Sequence, residues 1–276
     1  MLVPQPIRRA RKVAAIGRQF ARGRRFGQQL SEVVPSGDVT PTQLEAYFDA
    51  LSEGPGVWKW RHYFDVYDRH FRKFVGRPVT VLEIGVYSGG SIEMWRSYLG
   101  PQARIIGVDI EPACTAYERP GVDIVIGDQG DPEFWSSFLP DLDGIDIVID
   151  DGGHLFGQQI TTLEALLPRL NPGGVYVCED VHGEGNVFHA YMGGLQGNLH
   201  HWAQQEVGTD SVHETTPFQS SVHSVHVYPY VWVIEKNESR VDRLVAAKRG
   251  SRWQPFLEGI RVPGDGSGSA APGASR

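Results

Sequence analysis

Two short stretches of this 276-residue sequence concentrate groups able to hold a cation and to move a proton. Asp150-Asp151-Gly152-Gly153-His154 ends one apolar run, and Glu179-Asp180-Val181-His182 ends another. Carboxylates offer oxygen ligands to a hard ion, Mg²⁺ first or Mn²⁺. A histidine with an unperturbed pKa of about 6.5 is largely neutral near pH 7 and accepts a proton readily. Three other apolar runs end in a different signal. Glu83-Ile84-Gly85-Val86-Tyr87-Ser88-Gly89-Gly90-Ser91 is a glycine turn that lets a ligand approach the backbone. Asp109 follows 24 residues beyond Gly85, at a strand end where an acid accepts hydrogen bonds from ribose hydroxyls. Gly127-Asp128-Gln129 closes the next run, placed to meet an adenine edge. The glycine turn departs from the GxGxxG dinucleotide fingerprint, because Tyr87 stands where the second glycine would let the backbone meet a pyrophosphate.

The elements that must position these residues are legible as a pattern. VTVLEIGV (79–86), ARIIGVDI (103–110), VDIVIGD (122–128), IDIVIDD (145–151) and GVYVCED (174–180) are apolar without strict alternation, as strands buried on both faces of a parallel sheet are. SIEMWRSYL, DPEFWSSFL and QQITTLEALLPRL have the length and spacing of crossover helices. The fold class is therefore α/β: a Rossmann-like, doubly wound, mainly parallel sheet whose ligands bind at the carboxyl ends of the strands. HSVHVYPYVWVIEK (223–236) adds an antiparallel hairpin around Tyr228-Pro229. Upstream, Thr40-Pro41 signals a helix start, and aromatics at 60, 63, 64, 67, 71 and 74 recur at a helical period. That stripe reads as core packing, with Trp58, Trp60 and Tyr63 as candidates to face a ligand. The partition expected is a basic arm over 1–39, a helical segment over 40–77, the main domain over 78–262 and a flexible tail over 263–276.

Composition narrows the partners. Hydrophobic residues make up 41% and charged residues 21%, ordinary for a globular chain. No run approaches the 18 or more apolar residues of a membrane span, and no secretory leader is visible, so a cytoplasmic protein with no transmembrane segment is expected. The two cysteines, Cys114 and Cys178, lack the spacing of a disulfide framework or a zinc site. Residues 1–30 carry eight basic side chains and no acidic one, which leaves 18 basic against 33 acidic residues, or −15, over 31–276. A field of that sign disfavours nucleic acid and suits a cation or cationic ligand. Gly17, Gly23 and Gly27 should interrupt an amphipathic helix in the arm, which reads as a solvated, partly disordered tail.

The three strand ends at Glu83, Asp109 and Asp128 resemble those of the Rossmann-like S-adenosylmethionine-dependent methyltransferases. That resemblance implies that Glu83 with the turn at Gly85 and Gly89 holds the methionine portion, Asp109 the ribose, and Asp128 with Gln129 the adenine; Ser91 and Asp150 complete the cofactor set. In the usual strand order of that class, the strands ending at Asp150 and Glu179 are neighbours about 4.8 Å apart, so Asp151, Glu179 and Asp180 converge on a point that calls for a cation. DDGGH paired with EDVH behind EIGVYSGGS is similar to a narrower group: the metal-dependent sugar O-methyltransferases of macrolide biosynthesis and a mycobacterial mannose-oligosaccharide methyltransferase. By that resemblance Asp151, Glu179 and Asp180 are metal ligands and His154 is the general base, with His182 the other candidate. The reaction implied is methyl transfer from S-adenosylmethionine to a sugar hydroxyl of an oligosaccharide or glycoside, in a homo-oligomer, with segment 181–222 recognising the acceptor. Four alternatives stay open: a catechol-type O-methyltransferase, a nicotinamide-dependent oxidoreductase, a non-haem iron oxygenase using His154, His182 and Asp151, and a non-catalytic scaffold.

Overall fold

A computed structural model describes residues 5–30, 40–183, 185–201, 211–247 and 249. The chain divides into two compact units, Met1–Pro41 and Thr42–Arg276.

The first unit holds helix α1 (Gln5–Gln29), unbroken across Gly17, Gly23 and Gly27. This corrects the expectation of an interrupted tail. Each glycine costs about 1 kcal/mol relative to alanine, and the Arg, Ala, Lys and Gln residues around them are strong enough helix formers to carry the helix through. The expected tail over 263–276 lies outside the described residues.

In the second unit, α2 (Gln43–Ala50) starts at Thr42, whose hydroxyl accepts from the Glu45 amide at 3.1 Å. The cap is thus Thr42 rather than Thr40, because the side chain must reach the amide three residues on. Helix α3 spans only Tyr63–Phe71. Tyr63, Phe64, Tyr67, Phe71 and Phe74 are buried, whereas 58–62 is not helical and Trp58 is 86% exposed. The periodic stripe is core from Tyr63 onward and surface before it.

The remaining elements alternate: β1 (Thr80–Ile84), α4 (Gly90–Leu99), β2 (Arg104–Asp109), β3 (Val122–Ile126), α5 (Pro132–Phe138), β4 (Ile145–Asp150), α6 (Phe156–Leu166), β5 (Leu170–Cys178), α7 (Val187–Gly197), β6 (Ser211–Glu214), α8 (Pro217–Ser221), β7 (Val222–Tyr228), β8 (Val231–Lys236) and β9 (Arg243–Ala246). Seven strands form one sheet in the order β3-β2-β1-β4-β5-β8-β7, and β6 pairs with β9. The first five are parallel; β8 runs antiparallel to both β5 and β7. Alternate residues feed two cores. Val81, Ile105, Ile147, Ile149, Val175 and Val177 pack with α3 and α4, while Leu82, Ile84, Val108, Val148, Tyr176 and Cys178 pack with α5, α6 and α7. At roughly 1.5–3 kcal/mol per buried aliphatic side chain, this two-sided burial explains why the strands lack polar alternation. The chain turns outward in opposite directions from β1 and β4, so the crevice between their carboxyl ends is the topological switch point.

Candidate active site

The carboxyl ends of the strands are level. Ile84 pairs with Asp150 and Asp150 with Cys178. The ladder runs one residue further, with the Asp151 amide on the Ile84 carbonyl at 3.0 Å and the Glu179 amide on the Asp150 carbonyl at 2.9 Å. Gly85, Asp109, Asp151 and Glu179 thus share the wall of one cavity of about 740 Å³.

At one end the glycine turn is built around Asp109. Its Oδ2 accepts from the Val86 and Tyr87 amides at 2.8 and 3.0 Å, and its Oδ1 from the Glu111 amide at 2.9 Å. Gly85 has φ +90°, and a Cβ there would lie well inside contact of the Asp151 carbonyl, so only glycine lets the two loops close backbone to backbone. Ser91, Asp128 and Gln129 line the cavity; Ile110 beside Asp109 also lines it and is 67% exposed.

Three residues expected to touch a cofactor lie behind the wall instead. Glu83 is fully buried, its carboxylate accepting from the Ser91 hydroxyl and the Trp95 indole at 3.0 Å each. Burial pushes its pKa up to about 7, against the opposing pull of Lys59 and those two donors. Gly89 makes room for the Tyr117 ring. Asp150 accepts from Gln129 Nε2 at 2.9 Å and the Tyr176 hydroxyl at 3.1 Å, and burial raises its pKa to about 6. Gln129 reaches the cavity, yet its amide is committed: Nε2 donates to Asp150 and to Thr162 at 3.1 Å, and Oε1 accepts from the Gly153 amide at 2.6 Å. It braces the 151–153 loop. The sequence pattern marks strand ends but not which side chains turn inward.

At the other end the acids gather around His154. Its Nε2 is 3.5 Å from Asp180 Oδ2 and 4.0 Å from Asp151 Oδ1. Among the described residues, Asp151, His154 and Asp180 form a group whose ligand atoms lie within 4.8 Å of one another. Among the described residues, His154 (φ +55°), Asp180 (φ +54°) and Tyr87 (φ +50°) are three of four non-glycine residues with positive φ, and all three line the cavity. Backbone held in that region costs on the order of 1–3 kcal/mol per residue and collects at functional sites. His154 Nδ1 is buried without a hydrogen-bond partner. His182 lines the same cavity but is not in that group; its ring meets Tyr230 edge-on at 5.5 Å. The His-His-Asp triad an iron oxygenase would use is therefore not assembled here.

Glu179 is placed differently from the other two acids. It is fully buried, with Oε1 accepting from the Tyr67 hydroxyl at 2.7 Å and Oε2 from the Lys59 ammonium at 2.8 Å. Lys59 Nζ also donates to Asp151 Oδ2 at 2.5 Å. Burial raises the Glu179 pKa to about 8, and Lys59 opposes the shift. For Lys59, burial alone would lower the pKa, but Asp151, Glu179 and Glu83 outweigh it and hold the ammonium charged. Asp180 Oδ1 accepts from Trp60 Nε1 at 3.0 Å and the Tyr63 hydroxyl at 2.7 Å. Lys59 and Tyr67 were not among the expected site residues; the available signal was a lone lysine inside the Trp58-Lys59-Trp60 run. Among the described residues of segment 181–222, His182 alone is on the cavity wall, whereas Gly56, Val57, Trp58 and Trp60 line it from the N-terminal side of the sequence. His189 is turned to Trp232, accepting from its indole at 3.2 Å.

The sheet order and the glycine turn give the chain the fold of the Rossmann-like methyltransferases, and residues 82–181 match the model of a methyltransferase domain. The curated relatives it resembles are sugar O-methyltransferases. It is 34% identical over 208 residues to the 8-demethyl-8-alpha-L-rhamnosyl tetracenomycin-C 2'-O-methyltransferase of Streptomyces olivaceus, covering 68% of this chain and 53% of that protein. Over 122 residues it is 41% identical to the mycinamicin VI 2''-O-methyltransferase of Micromonospora griseorubida, covering 42% of this chain and 30% of that protein. Among solved structures, the MycE methyltransferase of the mycinamycin pathway in complex with Mg, SAH and mycinamycin VI superposes with a TM-score of 0.57 at 28% identity, over 71% of this chain and 53% of that one. The chain spans about half the length of the curated relatives that match it over two thirds of its own. No helix among the described residues is long and apolar enough to cross a membrane.

Proposed function

We propose that this protein transfers a methyl group from S-adenosylmethionine to a hydroxyl of a sugar carried by an oligosaccharide or a glycosylated natural product, with a divalent ion, Mg²⁺ or Mn²⁺, in the acidic cluster. The observation that carries the reading is that one cavity joins the Gly85–Asp109–Asp128 wall to the Asp151–His154–Asp180 group. The residues present fit both groups. Asp109 offers a carboxylate beside the glycine turn, and exposed Ile110 offers an apolar face for a flat ring. Asp151 Oδ1 and Asp180 Oδ2 face the same space beside His154, an oxygen-rich donor set suited to a hard cation. Three carboxyl groups, Asp151, Glu179 and Asp180, stand against the single ammonium of Lys59, an excess of acids suited to a divalent ion.

When bound, the methyl donor supplies an electrophilic carbon and the ion raises the acidity of a nearby hydroxyl. The protein's own part is position and proton transfer. His154 Nε2 receives the proton of the acceptor hydroxyl, and the imidazolium is stabilised by Asp180 and Asp151 on either side. The positive-φ backbone at His154 and Asp180 aims both side chains into the cavity. Trp58, exposed on the rim, offers a flat face for a sugar ring, while Trp60 and Tyr63 are engaged in holding Asp180. Orienting two reactants in this way is the main catalytic contribution required, because charge is neutralised as the methyl group moves.

A matched pair of assays tests the acceptor class. Labelled methyl donor is offered with deoxysugar glycosides and manno-oligosaccharides, and separately with a simple catechol, whose adjacent oxygens satisfy the same chelating geometry. Label is expected in the glycosides; label in the catechol alone contradicts the proposal.

A further inference from the structure

A second group of metal-ligating side chains lies away from the cavity, where α3 packs on the end of the sheet. Among the described residues, His70, His226 and Glu235 offer ligand atoms that all lie within 4.8 Å of one another, and none of the three lines the cavity described above. They arrive from three elements: His70 from the last turn of α3, His226 from β7 and Glu235 from β8. Strand alternation puts Ser224, His226 and Tyr228 on one face of β7, and Ser224 is the register partner of Glu235, so the two strands present their polar atoms to the same helix. His70 Nδ1 is 3.1 Å from Glu235 Oε1, and His226 Nε2 is 3.5 Å from Glu235 Oε2. The two imidazole rings stand 4.7 Å apart between centroids, at 61° to each other. His70 is 3% exposed and the His226 side chain 36%, so the group is anchored on its inner side and open to solvent on its outer one.

These spacings suit a four-coordinate ion. Ligand atoms around a tetrahedral zinc stand about 3.3–3.5 Å apart, given bonds of about 2.0–2.2 Å to imidazole nitrogen and carboxylate oxygen. Two nitrogens in a set of three disfavour Mg²⁺ and Ca²⁺, which take oxygen. The surroundings also supply what a ligating histidine needs at its other nitrogen. His70 Nε2 lies 2.9 Å from the Tyr228 hydroxyl, so the tautomer with a bare Nδ1 toward the ion keeps its Nε2–H donating to Tyr228, the outer hydrogen bond that orients the ring of a metal-bound histidine. Two groups must give way, and both can. Lys73 Nζ reaches Glu235 Oε1 at 3.5 Å from a side chain 36% exposed, whose flexible stem carries the ammonium back into water. Ser224 Oγ, 2.9 Å from His226 Nε2 and 3.2 Å from Glu235 Oε2, needs only a side-chain rotation. We propose that His70, His226 and Glu235 form a zinc site, with a fourth position for water, that ties α3 to the β7–β8 hairpin. The site is independent of the methyl-transfer reading, yet it bears on the cavity through the helix: Tyr67 and Tyr63, one and two turns before His70 on α3, hold Glu179 and Asp180 by their hydroxyls.

The test is Co²⁺ binding to the full chain with Mg²⁺ in excess to occupy oxygen-rich sites. It is read by visible absorption, since four-coordinate Co²⁺ with nitrogen ligands absorbs far more strongly than Co²⁺ in an octahedral set of oxygens. A single equivalent is expected to give the strong band, and Zn²⁺ to abolish it. His226→Gln, at a solvent-facing position on the outermost strand, and Glu235→Gln, close in shape to the residue it replaces, are each expected to weaken Co²⁺ binding by about a hundredfold or more, above the roughly 10–100-fold that an outer-shell partner is worth. Zn²⁺ is expected to raise the Tm of the unaltered protein and to leave that of both variants where it was. His154→Ala is expected to keep the band. A band lost in His154→Ala and kept in His226→Gln places the ion in the cavity and overturns the proposal. Absence of the strong band at millimolar Co²⁺ overturns it too, and leaves the group as a hydrogen-bonded network between α3 and the hairpin.

Discussion

In the function we propose, His154 is the residue on which the chemistry turns, since its Nε2 is gathered with two carboxylates. His154→Ala is expected to lower turnover by about 10²–10⁴, the usual contribution of a general base, with methyl-donor affinity near normal by calorimetry. Loss on His182→Ala with His154→Ala unaffected would move the base to His182, which packs on Tyr230 outside the cluster. At this scale the sequence was readable for types and spacing: DDGGH and EDVH lie on loops that line the cavity. It did not reveal that Glu179 turns inward to Tyr67 while Asp180, one residue on, turns toward the cavity. That split follows from strand alternation combined with the positive φ at Asp180.

At the scale of elements, five strands were legible because two-sided burial leaves long apolar runs with acids at their ends. The segment before α3 was not, because Trp58 and Trp60 continue an aromatic period that ends as a helix at Tyr63. Lys59 is positioned by tertiary contacts 92 and 120 residues away in sequence, which no local pattern carries. The contact between the glycine turn and the 151–153 loop is similarly non-local, and it gives a sharp stability contrast. Gly85→Ala meets both a φ of +90° and an immovable carbonyl, so urea unfolding is expected to show a loss of at least about 3 kcal/mol. Gly157 in α6 has open space around it, and Gly157→Ala is expected to stabilise by up to about 1 kcal/mol. Equal effects of the two substitutions would contradict the packing described.

For the whole molecule, the buried acids behind the cavity wall link stability to pH. Glu83 has a folded pKa of about 7, raised chiefly by burial from 4.5. A carboxyl with a raised folded pKa favours folding while it stays protonated. Its penalty is absent below about pH 4.5, grows as pH rises to about 7, and is constant above, reaching on the order of 3 kcal/mol. Glu83→Gln keeps an acceptor for Trp95 and removes the ionisation. Thermal unfolding from pH 4 to 8 is therefore expected to show the variant gaining on the unaltered protein between those limits, and parallel curves would contradict it. The −15 over residues 31–276 was read as favouring a cation, and the site concentrates that bias into the cluster around His154.

The most direct single measurement is the rate of labelled methyl transfer to a deoxysugar glycoside as a function of free Mg²⁺, starting from chelated protein. Transfer is predicted to be absent with chelator and to recover along a saturable curve as Mg²⁺ or Mn²⁺ is added. Full turnover in the chelated sample would contradict the proposed site, in which the acidic cluster holds an ion beside His154 Nε2.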